Sequence, residues 1–214
     1  MSDEKKAVQG DDLFLRLGPQ IAKAEVLGGA HLALGADDMP ALQPLRAIDT
    51  PAGASFAADW LAGLCASEGL ALDPALKSSL WEAVQALASA PPGERTLTGL
   101  SLLLQSPRLK SALQPFTLEG PHGRLLDGDR DALEFARLTC FEMEALLQSP
   151  AAAAPVLTYV FHRLGQLFDG RPSLLILDEA WLYLDHPVFA HQLRDWLKTL
   201  RKQNVSVVFA TQSL

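Results

Sequence analysis

Residues 173–181 read SLLILDEAW, and the fold turns on this stretch. Leu174 to Leu177 form an unbroken apolar run that ends in two adjacent acids, Asp178 and Glu179. A short run of this kind predicts a strand covered on both faces, as in a parallel sheet. Upstream, Pro155 to Phe168 reads as a helix with Val156, Val160, Leu164 and Leu167 on one side, and Gly170 stands where a capping glycine belongs. Downstream, Asp185 caps a predicted helix whose stripe is Phe189, Leu193, Trp196, Leu197 and Leu200. Lys198, Arg201 and Lys202 at its end suit the helix dipole. Val205 to Ala210 (VSVVFA) is a second buried strand, and Arg137 to Met143 (RLTCFEM) a third with mixed faces. Strand, helix, strand, helix, strand is the α/β signature, and right-handed crossovers then build a parallel sheet.

Further out, a capping residue followed by proline recurs at Thr50-Pro51, Asp73-Pro74, Ser106-Pro107 and Ser149-Pro150. Each pair reads as N-cap then first helical residue, where the missing proline N–H costs nothing. Phe56, Trp60, Leu64 and Cys65 make one apolar stripe; Leu76, Leu80, Val84 and Leu87 make a second, stopped by Pro91-Pro92-Gly93. Two shorter helices are predicted over Thr96–Gln105 and Pro107–Leu113. Residues 50–115 thus read as a helical subdomain, inserted into an α/β core of 26–49 and 116–214. Leu13 to Val26 reads as a short helix, and Ala30–Gly35 and Leu42–Ile48 carry weak strand character.

Composition narrows the function classes. Hydrophobic residues make up 49% and charged residues 20% of the 214, an ordinary globular profile. A formal charge of -7 argues against a surface that grips nucleic acid, which needs a basic stripe. No apolar run reaches the roughly 18 residues of a membrane span, and the polar opening MSDEKKAVQGDD lacks the apolar core of a signal peptide, so the expected compartment is the cytoplasm. Cys65 and Cys140, without zinc spacing, suit a reducing compartment and no structural metal; His186 and His191, five apart, do not share a helical face.

The chemistry concentrates at Asp178 and Glu179. Ligands of open α/β sheets bind just outside the carboxyl ends of the strands. Two neighbouring acids there suit nucleotide hydrolysis: Asp178 holds Mg²⁺ through its water shell, and Glu179 polarises the attacking water. Gln212, in Thr211-Gln212-Ser213 directly after the next strand, is placed to orient water or sense the γ-phosphate. The plain alternative is a strand finishing in solvated acids and a polar loop start. Residues 1–214 contain no GxxxxGK[ST] phosphate loop; neither Gly28-Gly29 nor Gly120–Gly123 is followed by the lysine that motif requires.

With these residues in hand, the chain resembles the conjugal-transfer ATPases of the TrbE type, VirB-class motors of type IV secretion in the FtsK/HerA branch of P-loop proteins. The resemblance rests on GGAHLALG (28–35), RAIDTPAGASFAADWL (46–61), ALASAPPGERTLT (86–98), FTLEGPHGRLLDG (116–128), CFEMEALL (140–147) and the run 169–214. It reaches from about residue 26 to the end, with residues 1–25 matching poorly. It implies a partial RecA-like parallel sheet with helices on both faces and an inserted helical subdomain. It implies ATP and Mg²⁺ as ligands, Asp178 as magnesium acid, Glu179 as catalytic glutamate and Gln212 as the polar residue of the next strand. It also implies a ring-like homo-oligomer, other secretion-channel components as partners, and a cytoplasmic location peripheral to the inner membrane. Arg124 is a candidate inter-subunit arginine. In such sheets the strand matching Val205–Ala210 lies beside the phosphate-loop strand, and without it that strand keeps an open edge. A companion that joins the channel assembly without turning over ATP is the competing reading. An ABC-type ATPase is disfavoured, because no LSGGQ-like segment precedes Leu174.

Overall fold

The computed structural model describes residues 13–18, 29–178 and 196–210, and the chain divides into two compact units. A sheet unit takes the chain up to Leu34, Phe135–Gln148 and the part from Phe161 onward; a helical unit takes Gly35–Glu134 and Ser149–Val160.

Among the described residues the sheet unit holds five strands: β1 (Leu13–Gly18), β2 (Ala30–Ala33), β3 (Leu138–Glu142), β4 (Ser173–Asp178) and β5 (Val205–Ala210). Their order is β2-β3-β1-β4-β5, and all four pairings are parallel. The expected parallel α/β sheet is therefore present. Leu13–Gly18 is a strand rather than the start of a helix. Its backbone is paired on both sides, by β3 and by β4, and that pairing overrides an indecisive local pattern. Along β4 burial alternates: Ser173, Leu175 and Leu177 are buried, while Leu174, Ile176 and Asp178 are only partly covered. The continuous apolar run thus hides a period of two, because residue type does not record how completely each face is covered. Phe141, Leu164, Leu175, Leu177 and Leu200 form the buried interior. Trp196 meets Phe161 edge-on at 4.5 Å and Phe168 at 5.7 Å between ring centroids.

Among the described residues the α-helices with both ends described are, in chain order, α1 (Pro51–Ser67), α2 (Pro74–Leu87), α3 (Leu97–Leu103), α4 (Pro107–Leu113), α5 (Gly123–Leu126), α6 (Glu144–Leu147) and α7 (Pro150–Leu167). Residues 196–200 are helical too, while the earlier part of the helix expected after Asp185 lies outside the described residues. The cap-proline grammar holds at three observed starts. Thr50 Oγ1 accepts from Gly53 N at 3.0 Å, Asp73 Oδ1 from Leu76 N at 2.9 Å and Ser106 Oγ from Leu109 N at 3.4 Å. Each capping residue is extended, and a proline follows in the first turn. Gly53 is obligatory, since a Cβ there would occupy the space of the Ala47 carbonyl. α7 starts at Pro150, as the Ser149-Pro150 pair predicts, so the helix read over Pro155–Phe168 begins five residues earlier. Pro155 lies inside the helix, and its carbonyl accepts the indole N–H of Trp60 at 3.0 Å. Residues 42–48 form turns rather than a strand. Arg46 N donates to Gln43 O and Ile48 N to Leu45 O, so the buried Leu42, Leu45 and Ile48 recur every third residue. A spacing of three closes turns, whereas a half-covered strand needs two.

Two buried carboxylates tie the helical unit together: Asp127, which accepts from Leu118 N at 2.7 Å and Thr98 N at 3.1 Å, and Asp131. Asp131, with 2% of its side chain exposed, accepts from Tyr159 Oη at 2.8 Å, Arg46 Nη1 at 3.0 Å and the Gln43 backbone N–H at 3.3 Å. Gln43 in turn donates its amide to Pro92 O at 2.6 Å, and Tyr159 is itself fully buried. Truncating Asp131 takes the acceptor from the Gln43 N–H and leaves Tyr159 Oη its longer bond to Gln43 O, at 3.2 Å, in a water-poor site. Asp131→Ala is expected to lower unfolding free energy by about 2–3 kcal/mol. Chemical denaturation followed by circular dichroism reads this, and an unchanged midpoint would remove Asp131 from that role.

Both cysteines are buried, and burial pushes the Cys65 thiol up to about 11. Since the thiolate is the reactive form, Cys65 is expected to be inert in the native state. Titration with an aromatic disulfide reagent at pH 8 should release colour only after denaturant is added. Prompt reaction of Cys65 in native buffer contradicts this.

Candidate functional site

In a sheet whose strands all run the same way, every carboxyl end lies on one edge. Asp178 closes β4 there, opposite Ala210, the last residue of β5. On the other side Leu177 pairs with Leu17, and Gly18, the next residue of β1, pairs with Glu142. Ala33 completes the row against Glu142. Asp178 is thus fixed by a strand paired along both of its sides, and its side chain is partly exposed.

The β4–β5 pair is pinned where both strands begin. Ser173 N donates to Asn204 O at 3.1 Å, and Asn204 Nδ2 donates to Gly170 O at 3.2 Å. Asn204 adopts the left-handed conformation (φ 60°), which asparagine tolerates better than most residues, and Gly170 has φ 97°. Gly170 therefore serves the entry to β4 after α7, as its place in the sequence suggested. These anchors set the register that makes Asp178 and Ala210 partners.

Glu179 and Gln212 lie outside the described residues, as do His186 and His191. Their covalent places are nonetheless telling. Glu179 follows Asp178 directly in the chain, and Gln212 is two residues beyond Ala210; of these only Asp178 and Ala210 are described, as partners in register. Glu142 is a further acid on the same edge, two strands from Asp178, that sequence reasoning assigned no role. Its only signal was its place at the end of the RLTCFEM strand. Glu142 Oε2 lies 3.1 Å from His31 Nε2 on β2, within ion-pair distance, although the buried ring nitrogen is not aligned for a hydrogen bond.

The other sequence candidates fall elsewhere. Gly29 packs on β3 so closely that a Cβ would press on the Leu138 carbonyl. Gly120 and Gly123 serve backbone packing in the helical unit, where a Cβ would run into Pro115 and Thr117 respectively. Arg124 donates to Asp37 O at 2.6 Å, Asp37 Oδ1 at 3.2 Å and Ala36 O at 3.3 Å, which accounts for its guanidinium within the chain. Among the described residues there is no cluster of three or more His, Cys, Asp or Glu that could hold a metal alone. A single carboxylate such as Asp178 still suits magnesium, which keeps most of its water ligands and takes few protein oxygens. Among the described residues, no helix is long and apolar enough to cross a membrane.

A parallel sheet of this order, joined to a helical unit, defines a partial RecA-like α/β fold. The structure of VirB4 of Thermoanaerobacter pseudethanolicus superposes with a TM-score of 0.67 over 94% of this chain and 62% of that one, at 18% identity. In sequence, the chain is 40% identical over 193 residues to the second piece of a probable conjugal transfer protein TrbE of Sinorhizobium fredii, a match over 87% of this chain and 29% of that protein. It is 39% identical over 209 residues to conjugal transfer protein TrbE of Rhizobium radiobacter (94% and 25%), and 28% identical over 210 residues to type IV secretion system protein virB4 of Bartonella henselae (96% and 26%). No protein-family model matches the chain. Over most of its length the chain is a homologue of one region of the TrbE and VirB4 proteins of conjugal transfer and type IV secretion. It spans 25–29% of the length of these curated relatives.

Proposed function

We propose that the chain is part of the ATPase motor of a conjugative or type IV secretion system, where ATP hydrolysis drives DNA or protein transfer and pilus assembly. The observation that carries this reading is the place of Asp178, at the carboxyl end of an interior parallel strand and in register with the end of β5. In this reading Asp178 orients the water shell of a magnesium ion bound with ATP, whose role is to draw charge from the phosphates. Glu179 accepts a proton from the attacking water, and Gln212 orients that water from the neighbouring strand end. Two carboxylates divide the work because an oxygen committed to the metal's water shell is poorly placed to take a proton.

The homology to secretion proteins supports other channel components as partners, a homo-oligomer as the working state, and a place at the cytoplasmic side of the inner membrane through those partners. The formal charge of -7 supports no direct grip on nucleic acid by these residues. Since residues 1–214 contain no phosphate loop, the alternative of a companion that joins the assembly without hydrolysis rests on a specific observation too.

The 214-residue chain alone is expected to show no ATP turnover and to bind Mg·ATP more weakly than roughly millimolar, because a phosphate loop supplies much of nucleotide affinity. In a motor assembly reconstituted with this chain, Glu179→Gln is expected to retain Mg·ATP binding and to lose turnover by about 100-fold or more. Asp178→Asn should weaken the magnesium-dependent component of binding. Turnover by the isolated chain that Glu179→Gln leaves intact rejects the assigned roles, and an assembly whose hydrolysis ignores both variants favours the companion.

A further inference from the structure

We propose that Glu142 is a positioning residue of the Asp178 site: braced by His31, it accepts from the water shell of the same magnesium ion, from across β1. This rests on the motor reading above and adds a residue to its metal.

The sheet's register brings the two acids to one row. Glu142 pairs with Gly18, and the pairing of Leu17 with Leu177, carried one residue on, sets Gly18 level with Asp178. Ala33 and Ala210 extend the row at its two ends. Residues level with one another across a sheet share a face, because side chains alternate along each strand with a period of two. One residue earlier, Phe141 and Leu177 are fully buried. The row of Glu142 and Asp178 therefore stands on the opposite face, where both side chains keep partial exposure. Glu142 and Asp178 are the only residues of that row with more than a methyl group, and Gly18 lies between them.

The spacing suits a hydrated ion. Strands lie about 4.8 Å apart, so the two backbones are separated by roughly 10 Å. A magnesium ion reached through water on both sides spans a similar length, about 2.1 Å to each water and about 2.8 Å onward to each carboxylate. Magnesium gives up its waters reluctantly, so acids that address its shell suit it better than a closed cage of ligands, and the described residues contain no such cage. Glu142 is also held in place. His31 Nε2 is buried and lies 3.1 Å from Glu142 Oε2, while Glu142 O accepts from Leu34 N at 2.8 Å. Among the described residues Glu142 Oε1 accepts no hydrogen bond. A carboxylate braced at one oxygen and open at the other is fitted to orient a metal's water, and such outer partners change metal affinity by about 10- to 100-fold.

The test titrates the isotopically labelled 214-residue chain with Mn²⁺, a paramagnetic substitute for magnesium, and follows amide signals by NMR. Gly18, Glu142 and Asp178 are expected to broaden together, ahead of Leu138 and Ser173 at the strand starts. Glu142→Gln should raise the Mn²⁺ concentration for half-broadening at Asp178 about tenfold in a chain still folded by circular dichroism. Glu119→Gln, which removes the same charge from the helical unit, should leave the titration unchanged. His31→Gln keeps both acids but releases Glu142, so it should shift the titration in the same direction by less, and it serves if Glu142→Gln unfolds. No broadening at this row, or a response that ignores Glu142→Gln and His31→Gln while the chain melts earlier, reduces the pair to a clasp between β2 and β3 and overturns the proposal. In a reconstituted motor assembly, Glu142→Gln should raise the Mg²⁺ requirement of turnover by a similar factor, and excess Mg²⁺ should restore the rate. Turnover that needs Glu179 but whose Mg²⁺ requirement ignores Glu142→Gln keeps the motor and rejects this residue. Hydrolysis indifferent to Glu179→Gln removes the motor reading, while Mn²⁺ broadening that needs both Asp178 and Glu142 still establishes the shared cation.

Discussion

Parallel pairing is the constraint from which the candidate site follows. When every strand runs in one direction, all carboxyl ends gather at a single edge, and polar groups there are paired neither by the ladder nor by the next turn of a helix. β4 is held along both sides, so Asp178 emerges from rigid backbone and its position is inherited from the sheet. A residue placed this way costs little to keep in position at the moment of chemistry, which is the use that enzymes make of strand ends. The anchors at Asn204 and Gly170 matter for the same reason, because a slip of one residue between β4 and β5 would turn Asp178 away from its partner row.

The helical unit solves a different problem. Its helices are built from short apolar stripes, which by themselves allow many packings of similar energy. Asp131 narrows the choice, since Tyr159, Arg46 and Gln43, far apart in sequence, must all converge on it. Trp60 adds a second directional bond, to the carbonyl of Pro155. Apolar burial drives this unit to collapse, and a few buried polar bonds select the arrangement.

Much of this was legible in the sequence, and the reasons differ from segment to segment. The cap-proline pairs were readable because a side-chain cap and a proline act locally, within one turn. β4 and β5 were readable as strands because their apolar runs are short and dense. Yet β5 is not the buried strand expected: only Val205 is buried, and Val208 and Phe209 are exposed, since apolar residue type does not record whether a face is covered. Leu13–Gly18 was not, since its strand state comes from neighbours 120 to 160 residues away. Residues 42–48 misled because mixed apolar and polar residues fit periods of both two and three. Ser149-Pro150 marks the start of α7 by its cap, while the apolar stripe alone suggests Pro155; a helix begun at Pro150 can carry that proline because the lost bond falls near its first turns. For the site, Asp178 was found at a strand end as expected. Glu142 was passed over because nothing in its sequence announces which strand will lie two places from β4. Glu179 and Gln212 lie outside the described residues.

The order of the chain also has a consequence for how the molecule is made. β1 and β2 leave the ribosome ahead of helical-unit residues 35–134; β3 follows, and only afterwards the Ser149–Val160 segment that brings Tyr159 to Asp131. Through that interval the carboxylate waits with its hydroxyl donor not yet synthesised, while β3 emerges before β4, its partner across β1. Neither unit can be completed by vectorial synthesis before the other has begun, so their maturation is interlocked in time. A nascent chain halted after Glu134 would hold most of the helices yet lack the residue that closes their polar centre.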